Sequence, residues 1–298
     1  VLMREEIEVV DLGETGLYTE DTGPLDAPAL VVLHGGPGGS CYAIREGIGD
    51  ELQDYRTIYF DQRGGGRSGE LPAEPRLFTI DALVEDLEAL RLHFDISSWA
   101  LLGHGFGAMP ALEYARKFAE NVRDVVLINP WTNFPLLAEK LYRASLRLRG
   151  MPEDLKETSL RLSEAPSDPL DALREAFSQL EPKAVFDSLI FPTAHGRLEF
   201  EWLEEGEGIL GADTPGRMLV QNGLWQFDYT PYLADLALPV SVLLGEADGT
   251  CFPEAQDVAN ITGGGLEIVY GAGHYPWIDQ PEATSQALEA LLGPGAEG

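Results

Sequence analysis

Basic side chains are scarce in this chain. Twenty lysines and arginines face 50 aspartates and glutamates, a formal net charge of −30 over 298 residues. Phosphate backbones and anionic lipid surfaces are repelled by such a charge, so neither nucleic acid nor a membrane is an expected partner. Cysteine is almost missing. Cys41 and Cys251 are the only two, too few for a disulfide framework, and the chain reads as cytoplasmic. No apolar run approaches the ~20 residues of a bilayer-crossing helix. Acids stand early, in Val1-Leu2-Met3-Arg4-Glu5-Glu6, where a signal peptide would be apolar, and Met3 reads as the true start. No His/Cys/Asp/Glu grouping has metal-ligand spacing, so no metal and no cofactor are expected.

What is present is an ordinary globular composition, 44% hydrophobic and 23% charged, long enough for one large core with an insertion. Strand-like runs alternate with helical stripes, the signature of an α/β protein with a mostly parallel central sheet and helices on both faces. Ile7 to Val10 and Gly16 to Glu20 read as opening strands. Ala29 to Leu33, Thr57 to Phe60, Trp99 to Leu102, Val125 to Ile128, Val240 to Leu244 and Leu266 to Tyr270 follow as further strands. Helical stripes run over Thr79 to His93, Phe106 to Phe118 and about Pro281 to Leu292. Residues 133–227 carry helical patterns broken by prolines and almost no strand signal. The predicted organisation is therefore a core of residues 1–132 and 228–298 with a helical insertion over residues 133–227.

One further thing is missing. Leu101-Leu102-Gly103-His104-Gly105-Phe106-Gly107 has the frame of a Gly-x-Ser-x-Gly nucleophile elbow, a sharp turn from buried strand to helix. The serine position holds Gly105, which has no side chain with which to attack. Other strand ends carry chemistry. His34-Gly35-Gly36-Pro37-Gly38 can offer backbone N–H groups to an oxyanion. The strand at Val240 leads to Asp248, and the strand at Leu266 leads through Gly271-Ala272-Gly273 to His274. The order elbow, acid, histidine is that of a hydrolytic triad, in which an imidazole takes a proton and a buried carboxylate fixes its tautomer. His34 and His104 flank this site and are read as shaping loops. Gly103-x-Gly105-x-x-Ala108 also matches a dinucleotide-binding fingerprint, but the next strand ends Ile128-Asn129 without the acid that would hold a ribose.

The chain resembles the proline iminopeptidase family of α/β-hydrolases. The resemblance rests on His34-Gly35-Gly36-Pro37-Gly38, on Asp61-Gln62-Arg63-Gly64 with Gly66 and Ser68, and on Asp86, Leu90 and Arg91. The elbow frame and Gly271-Ala272-Gly273-His274 complete it. It implies that Asp248 and His274 are the acid and base, that Gly36 and Phe106 supply the oxyanion hole, and that the insertion is a substrate-selecting cap. Family members remove N-terminal proline from peptides and hold the free amine with acidic cap residues. Glu204 and Glu205 resemble one such motif, Trp-Glu-Gly. Gln221 resembles a second, Glu-Asn-His-Tyr-Phe, with glutamine replacing the glutamate. The implied ligand is a small molecule or short peptide; the sequence leaves the oligomeric state open.

Three outcomes of the missing serine are open. Gly105 leaves room for a water on which His274 and Asp248 could act, giving weak or altered hydrolysis. Alternatively, the pocket holds a ligand without turnover. In the third, Ser40, Cys41 or Cys251 replaces the nucleophile.

Overall fold

The computed structural model describes residues 4–150, 166–206, 209 and 211–292, without the side chains at 4, 205 and 206. Eight strands form one sheet in the order β1-β2-β4-β3-β5-β6-β7-β8. They are β1 Arg4–Asp11, β2 Gly16–Gly23, β3 Ala29–Leu33, β4 Arg56–Phe60, β5 Trp99–His104, β6 Val122–Ile128, β7 Val240–Gly245 and β8 Leu266–Val269. β1 and β2 pair antiparallel, as do β2 and β4, and every other pairing is parallel.

β3 is apolar and buried at every position, because both faces of the sheet are covered there. Successive side chains alternate between the faces. Val31, Leu33, Leu101, Leu127 and Val242 enter one core cluster, and Leu30, Val32, Leu102, Val126 and Leu243 enter the other. The first cluster is closed by α2 (Ile80–His93) and α3 (Ala108–Lys117), through Leu83, Leu87, Met109 and Leu112. The second is closed by α1 (Tyr42–Ile48) and the C-terminal helix Pro281–Leu292, through Ile44, Ile48 and Leu288. α1 spans 7 residues, too short to print a periodic stripe, and no sequence signal announced it. The helix expected from Phe106 begins as a 3-10 turn over Gly105–Gly107 and becomes α-helical at Ala108.

Between β6 and β7 the described residues hold helices and no strand. These are α4 (Phe134–Leu148), α5 (Pro169–Ala176), α6 (Pro182–Ile190), α7 (Ala194–Gly206) and α8 (Asp213–Gln221), followed by short 3-10 turns. An isolated bridge joins Asn133 to Asp228 at the ends of this segment. The segment docks on the carboxyl ends of the strands through backbone hydrogen bonds. His274 N–H donates to Ile190 O and Gly249 N–H to Leu189 O, each at 2.9 Å. Ala212 N–H donates to Gly38 O at 2.9 Å. Gly38 has φ +89, and a Cβ there would lie 2.0 Å from Ala212 O, so only glycine permits this approach.

Candidate active site

β5 delivers Gly105 to the carboxyl edge of the sheet with φ +52, the left-handed conformation that an elbow demands and that costs a residue with a side chain about 1–3 kcal/mol. The elbow backbone is intact. Gly105 O accepts from Trp131 N–H at 3.0 Å, tying the turn to the end of β6. A Cβ built on Gly105 would stand 2.9 Å from His274 Nε2 and 3.2 Å from its Cε1. The histidine on the β8 loop is therefore the nearest neighbour of the vacated position.

Asp248 follows β7 and is 1% exposed. Its Oδ2 lies 2.7 Å from His274 Nδ1, which donates to it. Its Oδ1 accepts from Thr250 N–H at 2.8 Å and from the Thr250 hydroxyl at 2.5 Å. Burial alone would raise this carboxyl, but His274 and Thr250 outweigh it and hold Asp248 below the usual carboxylate range. Nδ1 is committed to Asp248 and Nε2 faces Gly105; in a neutral ring so held, Nε2 carries the lone pair.

Several residues that the sequence did not single out hold this ring. Trp131 stacks on the imidazole at 5.1 Å and 29°, and its indole N–H donates to Thr250 Oγ1 at 2.9 Å. Trp131, Thr250, Asp248 and His274 thus close a loop. The Asn129 amide donates to the carbonyls of Gly273 and His274 at 3.0 and 2.9 Å, and its Oδ1 accepts from Gly245 N–H at 2.8 Å. Asn129 has φ +45, which asparagine tolerates better than most residues. His104, read as a loop former, donates from Nε2 to the carbonyl of His274 at 2.9 Å. Asp-x-Thr after a strand is a turn signature that could have flagged Thr250; nothing local marked Trp131 or Asn129.

The other expected residues fall as follows. Gly36 has φ +64, and the space its Cβ would fill is empty to 4 Å, so its backbone borders open room. Phe106 follows Gly105 in the 3-10 turn with its ring buried. Glu204 lies on α7 and is exposed, with partial desolvation raising its carboxyl above the usual range. Phe200, one turn earlier on α7, stacks on Tyr275 at 4.1 Å, so the helix that carries Glu204 packs against the residue after His274; burial first, then Glu204, pushes the Tyr275 phenol above its ordinary range. Glu205 is on the same helix, but its side chain lies outside the described residues. Gln221 is exposed at the end of α8, where nothing joins it to the pair. A cavity of about 440 Å³, bordered by Met109, Glu113, Arg116, Leu224, Phe227 and Tyr232 among others, opens beside α3, and neither Gly105 nor His274 lines it.

The cysteines are poor substitutes for a serine. Burial pushes both thiols well above their ordinary range, with Asp61 adding to it at Cys41 and Asp248 at Cys251, and a thiol held protonated is a weak nucleophile. Ser40 Oγ accepts from Tyr42 N–H at 3.4 Å. Among the described residues no group of three or more His, Cys, Asp or Glu could hold a metal, and no helix is long and apolar enough to cross a membrane.

Comparison with known proteins agrees with this geometry. The α/β-hydrolase fold family matches residues 28–179. A proline iminopeptidase-related protein from Thermus thermophilus is 48% identical, with a TM-score of 0.87 over 97% of this chain and 98% of that one. A proline iminopeptidase from Heyndrickxia coagulans is 27% identical over 85% of this chain and 86% of its own. The proline iminopeptidase of Mycobacterium smegmatis, 20% identical with a TM-score of 0.67 over 96% of this chain and 97% of its own, shares the fold. With the strand-end Asp248–His274 pair, the intact elbow and these relatives together, the chain belongs to the proline iminopeptidase family of α/β-hydrolases.

Proposed function

We propose that this protein is a proline iminopeptidase-like hydrolase with a vacant nucleophile position, whose cleavage of peptides and esters is weak, altered or absent. Asp248 and His274 act as acid and base, Gly105 marks the vacancy, and the N–H groups of Gly36 and Phe106 form the oxyanion hole. Residues 133–227 serve as a cap over a small-molecule or short-peptide substrate. Among the amine-anchor candidates Glu204 is favoured, because its helix packs against Tyr275, the residue after His274, through Phe200. One observation carries the reading: His274 Nε2 stands 2.9 Å from the missing Cβ while Nδ1 is held by Asp248. In a comparable serine hydrolase, loss of the nucleophile slows turnover about 10⁶-fold, roughly 8 kcal/mol.

The unmodified protein is expected to cleave prolyl-arylamides and short aryl esters slowly or not at all, and Gly105→Ser to restore measurable ester cleavage. A Gly105→Ser protein that folds and stays inert removes the reading. The vacancy itself favours a second one, a ligand-binding pseudo-hydrolase. Tight binding of a prolyl peptide by the unmodified protein, with no turnover of it or of esters, would select that alternative.

A further inference from the structure

We infer that the His274 imidazole is itself the nucleophile of this site, and that its substrates are activated acyl compounds, aryl esters and thioesters, in place of peptides. The inference rests on the reading above that Asp248 and His274 are the working pair. Nδ1 donates to Asp248 at 2.7 Å, which leaves Nε2 with a free lone pair. Nε2 and Cε1 stand 2.9 and 3.2 Å from the Cβ position of Gly105, and the next nearest atom is Gly35 Cα at 3.6 Å. A real Cβ does not sit 2.9 Å from a ring nitrogen, so the ring edge occupies space that a seryl side chain would claim. In a seryl elbow the hydroxyl oxygen separates imidazole from acyl carbon. Here that oxygen and its carbon are both gone. The inference requires that an acyl group held by the N–H groups of Gly36 and Phe106 bring its carbon to about 3–3.5 Å from Nε2, the range of a near-attack geometry. The ring is fixed for this by Trp131 on its face and by His104 and Asn129 on its backbone carbonyl.

Nε2 gives its lone pair to the acyl carbon, and the carbonyl electrons move to oxygen and return as the adduct collapses. The phenolate or thiolate departs with the electron pair of its bond. His274 is left acylated at Nε2, and Asp248 balances the positive ring. Water then adds to the acyl carbon, and the carbon–nitrogen pair returns to Nε2. One water proton goes to the departed anion and the other to the released acid. The leaving group sets the substrate class. Attack by an uncharged imidazole expels groups that can leave as anions without first taking up a proton, thiolates and phenolates, whose acids titrate at about 8.5 and 10. An amide nitrogen must be protonated before it leaves, and the nitrogen that would protonate it is spent on the attack.

The experiment is to mix the unmodified protein with excess p-nitrophenyl acetate, quench with acid, and locate acetyl groups by peptide mass spectrometry. A burst of p-nitrophenolate of up to one equivalent is expected, with acetyl on the peptide holding His274, released by hydroxylamine. The burst rate should be unchanged in heavy water. Prolyl-p-nitroanilide should give no burst, and His274→Gln should give neither burst nor adduct. Turnover that His274→Gln abolishes, with no acetyl on His274 and a slowing of about twofold or more in heavy water, overturns the inference in favour of a base acting on water. Absence of any release by the unmodified protein also overturns it. Gly105→Ser separates the two failures. If that variant cleaves esters, only the imidazole nucleophile is lost; if it folds and is inert, the underlying reading falls as well.

Discussion

At the scale of single residues, one glycine relieves the backbone at the elbow turn and, on the function proposed above, sets the chemistry. Gly105 takes φ +52 without the penalty a side chain would meet. Gly105→Ser should therefore lower unfolding stability by about 1–3 kcal/mol even as it restores ester cleavage. The His274 ring must also retreat by a few tenths of an ångström, since a Cβ would lie 2.9 Å from Nε2. A denaturant midpoint equal to or above that of the unmodified protein would contradict the strained turn. In the Gly105→Ser background, Asp248→Asn should remove most of the regained turnover, by about 10⁴-fold, because it presents the wrong tautomer to the ring; an undiminished rate would mean that Asp248 does not orient His274.

The two buried histidines beside the site give a pH dependence of definite sign. Burial first, with His274 adding at His104 and partly opposed by Asp61 at His34, lowers both imidazoles below their ordinary value. The unfolded imidazole titrates near 6.5, so below that value the unfolded chain binds more protons than the folded one. Stability is complete above pH ~6.5 and declines as pH falls towards the folded values, by up to about 1.4 kcal/mol per pH unit for each ring. Urea midpoints between about pH 7.5 and 5 should fall accordingly, and His104→Gln should flatten the slope. A midpoint constant over that window would show that neither ring is held neutral.

At the scale of elements, side chains that cross between elements set the loops. Arg63, in the loop after β4, forms a two-pronged pair with Asp86 of α2, both bonds at 2.7 Å, and both side chains are buried. Arg63→Leu alone should destabilise by about 3–5 kcal/mol, because it strands a buried charge, whereas Arg63→Leu with Asp86→Leu should recover most of the loss. A double variant as unstable as the single one would show that the pair is needed for more than mutual compensation. Elements differed in how plainly they could be read. β3 and β5 were legible because unbroken apolar runs that end in glycine-rich turns suit strands buried on both faces. α1 was not, because 7 residues give fewer than two full turns of amphipathic pattern. The loop after β6 was opaque for another reason. Asn129 and Trp131 matter through partners more than 100 positions away in the chain, and local pattern says nothing of such partners.

At the scale of the molecule, charge dominates. A net charge of −30 repels itself, and added salt screens that repulsion. Raising sodium chloride from about 0.02 to 0.3 M should raise the melting temperature. A fall would mean that ion pairs, such as Arg45 with the buried Glu20, outweigh the repulsion they lie within.

The sequence by itself determined the alternation of strands and helices, the order of elbow, acid and histidine, and the presence of glycine at position 105. Each of these is a property of neighbouring residues or of chain order, which local sterics and hydrophobic period express directly. Only the tertiary structure decided that His274 reaches the Cβ position of Gly105, that Asp248 holds its other nitrogen, and that Trp131, Asn129 and His104 fix the ring. Those relations depend on which distant segments the folded sheet and the docked insertion bring within a few ångströms of each other, and no window of adjacent residues contains that distance.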